Sequence, residues 1–465
     1  MSFGLRLRLS FMMFLQYFVW GLWLVNLGQF LTKSTFTLST DQQGWIFTVY
    51  GFGAIIGPFL LGQIADRYLA TEKVMAIAHF LGGILLIATA YATNFPMIFG
   101  LLFLYCNLYM PTMGLSNSIT FRSIGESNQA AFPGIRLWGT IGWIVAGLLF
   151  SGYLDYQKLA FYKSLFNLFH LQSAFGGFLA WWTAHVVPSL ESLFAISWIG
   201  PPKFRDSLRI AGAASMLYSL YCLTLPHTPP TPAKATDPID KRSAVLESLE
   251  LMRFRSFAVL VVVTGLIGIM LAFYFACETF FLEAIGIPAD QTGAYMTIGQ
   301  IAEIVVMLFV PAAVKAMGVK KTMLIGAAAW ALRFGLSAYG QPQSLMIATI
   351  ALHGFAFGFF FVVAQMYVDR AASPDIKATA QNLLIFIVYG VGTIVGSILT
   401  GRARAMFTTT AAKADGSLAK VENWHLIWLG PFVLTLVCMV IFALLFREEE
   451  IRKVGTRGMD EGTLG

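Results

Sequence analysis

The chain has 465 residues, of which 57% are hydrophobic and only 12% charged, and its formal net charge is +7 at pH 7. A soluble domain carries roughly a quarter of its residues as charges, so this composition excludes a soluble globular protein. The positive balance does not indicate nucleic acid, because the basic residues sit in short gaps between apolar stretches and form no compact patch with interleaved aromatics.

About twelve stretches have the ~20 apolar residues that a helical span needs. They lie at 11–32, 43–65, 74–93, 95–119, 135–154, 209–226, 256–284, 291–314, 322–339, 343–368, 378–400 and 425–446. Arg6 and Arg8 before the first run imitate a signal peptide, but Phe11–Leu31 is longer than an h-region and no small-residue cleavage site follows. It reads as a retained first span. Basic residues fall in alternate gaps: Arg67 and Lys73, Arg122, then Lys234, Lys241, Arg242, Arg253 and Arg255. They recur at Lys315, Lys320 and Lys321, at Arg370 and Lys377, and in the tail at Arg447, Arg452, Lys453 and Arg457. The gaps at 93–95, 285–290 and 340–342 hold no Lys or Arg, which predicts both termini on the cytoplasmic side.

The gap at 155–208 exceeds a minimal loop and is rich in aromatics (Phe161, Tyr162, Phe166, Phe169, Trp181, Trp182, Trp198). Its most apolar part, Ala174–Val187, is short for a span, and a thirteenth span would put every later basic loop outside. An interfacial helix or hairpin on the outer side is expected. The gap at 227–255 has linker composition, with Pro229, Pro230, Pro232 and Pro238 followed by charge. The expected domains are a six-helix bundle over 1–226 with the insert 155–208, the linker 227–255, a second six-helix bundle over 256–446, and a tail 447–465. Six spans plus six around a polar middle loop is the layout of internally repeated transporters of the major facilitator kind. Weak echoes agree. Arg122 and Arg370 follow the fourth span of each half, and spans two and eleven share the spacing Gly51-x-Gly53-x-x-x-Gly57 and Gly390-x-Gly392-x-x-x-Gly396. No strand precedes these glycines, so close helix packing is preferred over nucleotide binding.

Ionisable groups at bilayer depth are costly and therefore candidates for function: His79, Arg136, Glu278, Glu303, Arg333 and His353. Arg136, Thr140 and Trp143 share one face of span five and suit a polar, planar solute. Arg136 reads equally as an anchor that only snorkels to the cytoplasmic surface. Gln300 and Glu303 share a face of span eight. A desolvated carboxylate exchanges protons near neutral pH, so Glu303 is the first proton-coupling candidate and Glu278 the second. The bland readings are an ion pair of Glu303 with Arg333 or Arg136, and a headgroup location for Glu278. A lone His79 or His353 is more often a packing residue. Gln16, Trp20, Trp23 and Asn26 place polar and aromatic groups in span one, for a planar ligand or for packing. Cys106, Cys222, Cys277 and Cys438 fall in spans without ligand spacing and read as small hydrophobes. No hydrolase elbow, zinc motif or phosphate loop occurs, so an enzyme is not expected and an ion gradient is the energy source.

The chain resembles the nucleoside:proton symporters of the major facilitator superfamily. The likeness rests on Leu15-Gln16 with Trp20-Gly21 and Trp23, Gly62-Gln-Ile-Ala-Asp66-Arg67, Tyr109-Met-Pro-Thr-Met-Gly-Leu115, Phe132-Pro-Gly-Ile-Arg-Leu-Trp-Gly-Thr-Ile-Gly142 and Leu223-Thr-Leu-Pro-His227. It continues through Gln300-Ile-Ala-Glu303, Ala329-Trp-Ala-Leu-Arg-Phe334, Ala338-Tyr-Gly340 and Ser373-Pro374 with Ala380-Gln381. The resemblance implies an all-α membrane protein of twelve helices that imports nucleosides with protons by alternating access. It also implies a nucleoside site containing Arg136, Thr140, Gln300 and Glu303, with Trp143 where the family has an aromatic residue. Leu271 and Tyr274 stand where span seven of the family meets its ligand, and His353 is a further candidate for the solute site. Two departures are visible: Gly358 occupies the place of a span-ten aspartate, and Leu271 and Tyr274 replace two amides. They leave open a sugar or another small polar metabolite as the solute, and the long outer insert leaves open a receptor that kept the fold. A monomer in a bacterial inner membrane, with no cofactor and no nucleic-acid partner, is expected.

Overall fold

The computed structural model describes residues 1–33, 36, 38–125, 131–168, 172–195, 200–230, 250–372, 377–412 and 418–448. Inside a bilayer every backbone polar group has to be satisfied within its own segment, and the apolar stretches accordingly become helices. In chain order they are α1 (Phe3–Lys33), α2 (Thr40–Arg67), α3 (Thr71–Ala90), α4 (Phe95–Ile124) and α5 (Phe132–Leu154), then three short helices, α6 (Ala160–Leu168), α7 (Gln172–His185) and α8 (Val187–Phe194). After these come α9 (Asp206–Cys222), α10 (Arg255–Ala284), α11 (Thr292–Tyr339), α12 (Gln343–Ala371), α13 (Ala380–Met406) and α14 (Trp424–Leu445). Among the described residues, ten helices are long and apolar enough to cross a membrane. One of them, α11, has 48 residues, about 70 Å of helix, more than twice a hydrocarbon core. It breaks at Gly318 (φ 80°, ψ 172°), a conformation that glycine adopts without a Cβ penalty. Its two arms, 292–317 and 319–339, are the expected spans eight and nine. With these arms counted separately and α9 as the sixth helix of the first half, the described residues are consistent with a bundle of twelve helices.

Helix starts follow local chemistry. Ser39 caps α2 by accepting from Gln42 N (3.1 Å), while Gln42 accepts from Ser39 N (3.0 Å). Asn94 caps α4 with Pro96 in the first turn, and Asn423 caps α14. The first span begins at Phe3 rather than 11, because nothing in the Arg6–Arg8 stretch interrupts helix formation.

The internal repeat is visible in the packing. In the first half α1 lies on α5, α2 on α4 and α3 on α9. In the second, α10 lies on α13, the first arm of α11 on α12 and the second arm on α14. The halves meet along α2 with α13 and along α5 with the first arm of α11. The echoed glycines carry this joint. A Cβ on Gly51 would stand 2.7 Å from Gly390 O, and one on Gly44 would stand 2.7 Å from Ser397 O and 2.8 Å from Gly401 Cα. Gly53 and Gly57 lie against α4, and Gly392 against Gly268 of α10.

The polar contacts between the halves gather at the end of the bundle away from the chain termini, called the distal end below. There Arg404 of α13 donates to Gln43 of α2 (3.0 Å), Arg402 faces Asp41 (3.4 Å), and Glu283 of α10 accepts from Lys33 and from Gln29 (3.2 Å). Ser151 of α5 accepts from Ala294 N (3.1 Å).

Two features depart from expectation. The insert forms three helices rather than one interfacial helix or hairpin, held together by Trp182 Nε1 to Tyr156 O (2.7 Å) and tied to α5 by Tyr162 to Leu148 O (2.6 Å). None of the three is among the candidate spans. A two-stranded ribbon, β1 (Thr408–Ala412) antiparallel to β2 (Leu418–Glu422), follows α13 and was not foreseen; the run Thr408-Thr409-Thr410 opposite Val421 suits a strand pair. Linker positions 231–249 with Lys234, Lys241 and Arg242, the tail from 449 with Arg452, Lys453 and Arg457, Ser373-Pro374, and the side chains of Asp66 and Arg67 lie outside the described residues. All four cysteines are buried free thiols.

Overpacking a seam of this kind costs about 1–3 kcal/mol. Gly44→Val is expected to insert normally but to hold the distal end apart. Thr297 lies in the joint between the halves and is 2% exposed. A Thr297→Cys thiol should therefore react with a water-soluble maleimide much faster in the Gly44→Val background than without it.

Candidate functional site

The sequence-predicted residues sort into three groups. The first lines the joint of the halves. On α5, Arg136, Thr140 and Trp143 fall on one helical face as the spacing predicts. The Arg136 guanidinium rests over the Tyr17 ring of α1, 3.9 Å from its centroid. Trp143 meets Trp20 edge-on (4.8 Å), and Trp20 stacks on Tyr50 of α2 (5.5 Å, 7°). Facing these from the second half is Glu303 on the first arm of α11. It lies within electrostatic reach of Arg136, Tyr17 and Tyr389. Among the described residues Arg136 and Glu303 form no direct ion pair with each other. The result is a guanidinium, a hydroxyl and aromatic rings on one side and a carboxylate on the other, with the charges held apart.

The second group is a buried polar cluster in the second half. Arg333 of the second arm of α11 donates to Glu278 of α10 (3.0 Å), and its guanidinium lies over Tyr274, 4.1 Å from the centroid. Of the two partners the bland reading offers Glu303, Arg333 is engaged instead by Glu278, which is 2% exposed. His353 packs against Tyr274 (5.2 Å) and Trp330 (5.6 Å), and its ring side borders Gly299, one residue before Gln300. Gln300 is 6% exposed and its Oε1 has no partner.

The third group has no opening to a solute. Gln16 donates to Thr112 Oγ1 (2.8 Å), its Oε1 accepts from His79 Nε2 (3.1 Å), and its backbone carbonyl accepts from Tyr109. Because an amide oxygen only accepts, His79 carries its hydrogen on Nε2, and its Nδ1 faces the Ser215 hydroxyl (3.1 Å). Gln16 was expected to contact a solute, but its side-chain amide is instead taken up by α3 and α4. Asn26 likewise donates within its own helix to Leu22 O (2.8 Å), and Trp23 packs edge-on against Tyr105 (5.3 Å).

Sequence reasoning missed Tyr17, Tyr50 and Tyr389. The signal for two of them was present: the repeated motif is Tyr50-Gly51-x-Gly53 and Tyr389-Gly390-x-Gly392, and the two tyrosines of the echo face each other electrostatically across the joint. Tyr389 lies in a π-helical turn, Phe386–Gly392, and a second such turn, Phe357–Val362, holds Gly358. Single π turns recur at functional sites because they re-aim side chains. A Cβ at Gly358 would lie 3.1 Å from Val306 Cγ1, one turn beyond Glu303. The position where the family places an acid is thus a close-packing position here.

The model of the nucleoside H+ symporter family matches residues 3–185 and 164–451. The protein YegT of Escherichia coli (strain K12) is 32% identical over 449 residues, covering 95% of this chain and 94% of its own. The xanthosine permease of the same organism is 30% identical, covering 96% of each chain. A crystal structure of the nucleoside transporter NupG superposes with a TM-score of 0.73 at 27% identity, covering 95% of this chain and 99% of that one. The D-xylose-proton symporter structure, at 13% identity and a TM-score of 0.69 over 97% of this chain and 99% of its own, shares the fold alone.

If Gln16 is a structural residue, Gln16→Leu leaves the His79 Nε2–H unpaired in a buried setting. That omission costs about 1–3 kcal/mol. A lower midpoint of thermal unfolding in detergent, with ligand affinity retained, is the expected outcome.

Proposed function

Because the chain belongs to the nucleoside H+ symporter family, we propose that it imports nucleosides together with protons, and that Arg136, Thr140 and Trp143 meet Gln300 and Glu303 around the solute at the joint of the two halves. The observation that carries this reading is the separated pair of Arg136 and Glu303, one from each half, flanked by stacked aromatics. A nucleoside has the matching parts: a planar base for the Trp20, Trp143 and Tyr50 rings, and ribose hydroxyls that donate to a carboxylate while accepting from a guanidinium. Glu303 accepts two such bonds only when ionised, so its protonation state and its grip on the solute are linked. A site built on hydrogen bonds rejects analogues lacking them, which makes Gln300 Oε1 and Thr140 part of the discrimination.

With both termini cytoplasmic, the distal contacts seal the outer side and the structure faces inward. Alternating access then consists of rocking the halves about the α2–α13 seam. The proton gradient supplies the energy, no organic cofactor is required, and one chain in a bacterial inner membrane suffices. The second reading, a sugar or another small polar metabolite, rests on the tight packing of Gly358 against Val306.

The test is uptake of radiolabelled uridine and adenosine into proteoliposomes, with D-xylose as the control solute. One proton per solute sustains about tenfold accumulation per pH unit, since each 1.4 kcal/mol is a factor of ten. Nucleoside accumulation of at least that size is expected in the wild type, with loss in Arg136→Ala and in Glu303→Gln. Uptake of D-xylose but of neither nucleoside would replace this reading with the second.

A further inference from the structure

The cluster around Glu278 joins a buried ion pair to several buried polar atoms that are incompletely bonded. Arg333 is 0% and Glu278 2% exposed, and a single 3.0 Å hydrogen bond joins them. Among the described residues Glu278 Oε2, Arg333 Nε, His353 Nδ1 and Gln300 Oε1 have no partner, while Tyr274 lies close enough to Arg333 to interact with it. An ion pair in a low-dielectric interior repays its desolvation only when its remaining valences are satisfied. As a purely structural element this pair is therefore poor, and two apolar residues of similar volume would hold α10 to α11 as well.

Its position supplies a reason for it. Glu278 sits one residue before the segment of α10 that closes the distal end. Phe280 packs on Gly28 of α1, where an added Cβ would be 2.9 Å from the ring, and it lies under Arg404 at 4.0 Å. Glu283 accepts from Gln29 and Lys33. One face of the last two turns of α10 thus holds the first half, while Glu278 on another face holds the second arm of α11.

We propose that Glu278 and Arg333 form a second proton-carrying element, separate from Glu303, whose protonation releases the distal gate. A proton from distal water forms an O–H bond on Glu278, and the carboxylate becomes neutral. The charge-assisted bond from Arg333 Nη2 is lost, Arg333 stays protonated, and the cluster gains one positive charge. The same O–H bond breaks when the proton leaves to water on the other side, and the pair re-forms. The titratable and charged groups around Glu278 are Arg333 and Tyr274, with Cys277 on its own helix, which also senses Arg404 and Glu422. His353 faces Arg333 from α12, and Glu303 reaches the cluster through Tyr274.

The stoichiometric part rests on the symport reading above; the gate part does not. The variant is Glu278→Met with Arg333→Met, which removes the pair without leaving a lone buried charge. For the gate, spin labels at Trp45→Cys and Met406→Cys, exposed positions on the distal parts of α2 and α13, report their separation in substrate-free protein as pH is varied. Acidification should widen the separation in the otherwise wild-type chain and leave the double variant unchanged; identical pH profiles would overturn the proposal. For transport, uridine accumulation at zero membrane potential should reach about a hundredfold per pH unit with two protons per solute and about tenfold in the double variant. Equal ratios in the two proteins would assign the pair a merely structural role and overturn the proposal. Absence of uridine uptake in the wild type alongside a pH-dependent gate that the double variant loses would sink the nucleoside reading and support the gate.

Discussion

The structure depends on backbone contact between α2 and α13, where Gly44, Gly51, Gly390 and Gly401 leave no room for a side chain. Apolar burial does not favour helix over lipid inside a bilayer, so close packing of small faces is one of the few ways to hold two halves together. This seam fixes how far Tyr50 stands from Tyr389, and with it the distance across which Arg136 of the first half confronts Glu303 of the second. At the closest points Ile394 lies against Gly51 and Ile55 against Gly390, so the backbone contact is flanked by side chains that keep the axis in place. A joint of that kind suits two rigid bundles that must rock without separating.

Buried polarity is handled in three ways in one molecule, and the differences are informative. Around Gln16 and His79 the groups are mutually satisfied, which stabilises the first half and leaves nothing to offer a solute. Arg136 and Glu303 are charged groups kept apart, with an aromatic ring under the cation. Glu278 and Arg333 are paired but left with open valences. Unsatisfied burial costs on the order of a kcal/mol or more per group. Among the described residues unpartnered buried groups occur in both halves, but the buried ion pair with open valences lies in the second, between α10 and α11.

Most of the architecture was legible because the bilayer imposes a simple rule on sequence: long apolar runs, with basic residues in alternate gaps. The repeated Gly-x-Gly-x-x-x-Gly pattern marked the two helices that meet at the seam. The distal ribbon was not legible, since ten strand residues interrupted by Gly416 and Lys413 read as an ordinary loop. The number of helices in the insert was not legible, because Ala174–Val187 dominates its hydropathy and the start of a separate helix at Val187-Pro188 carries no apolar run of its own. At the site, Arg136, Thr140 and Trp143 followed from helical spacing. Gln16 looked equally exposed to a solute by spacing alone, and only its partners on α3 and α4 tell otherwise. The pairing of Arg333 with Glu278 rather than Glu303 was likewise invisible, because it depends on how α11 folds back at Gly318.

That fold-back has a consequence for how the protein is made. Val319 N and Lys320 N, the exposed donors where the second arm of α11 begins, are received by the two carboxylate oxygens of Glu448 at 2.9 and 3.3 Å. Ser256 at the start of α10 exchanges hydrogen bonds with the backbone of Arg447, at 2.8 and 3.0 Å. The acceptor for a break in the middle of the second half therefore comes from the residues that follow α14. On the ribosome the helices of the first bundle emerge before any of the second. The second stays uncapped at Gly318 until the last helix has been threaded into the bilayer, so its assembly is a closing step rather than a sequential one.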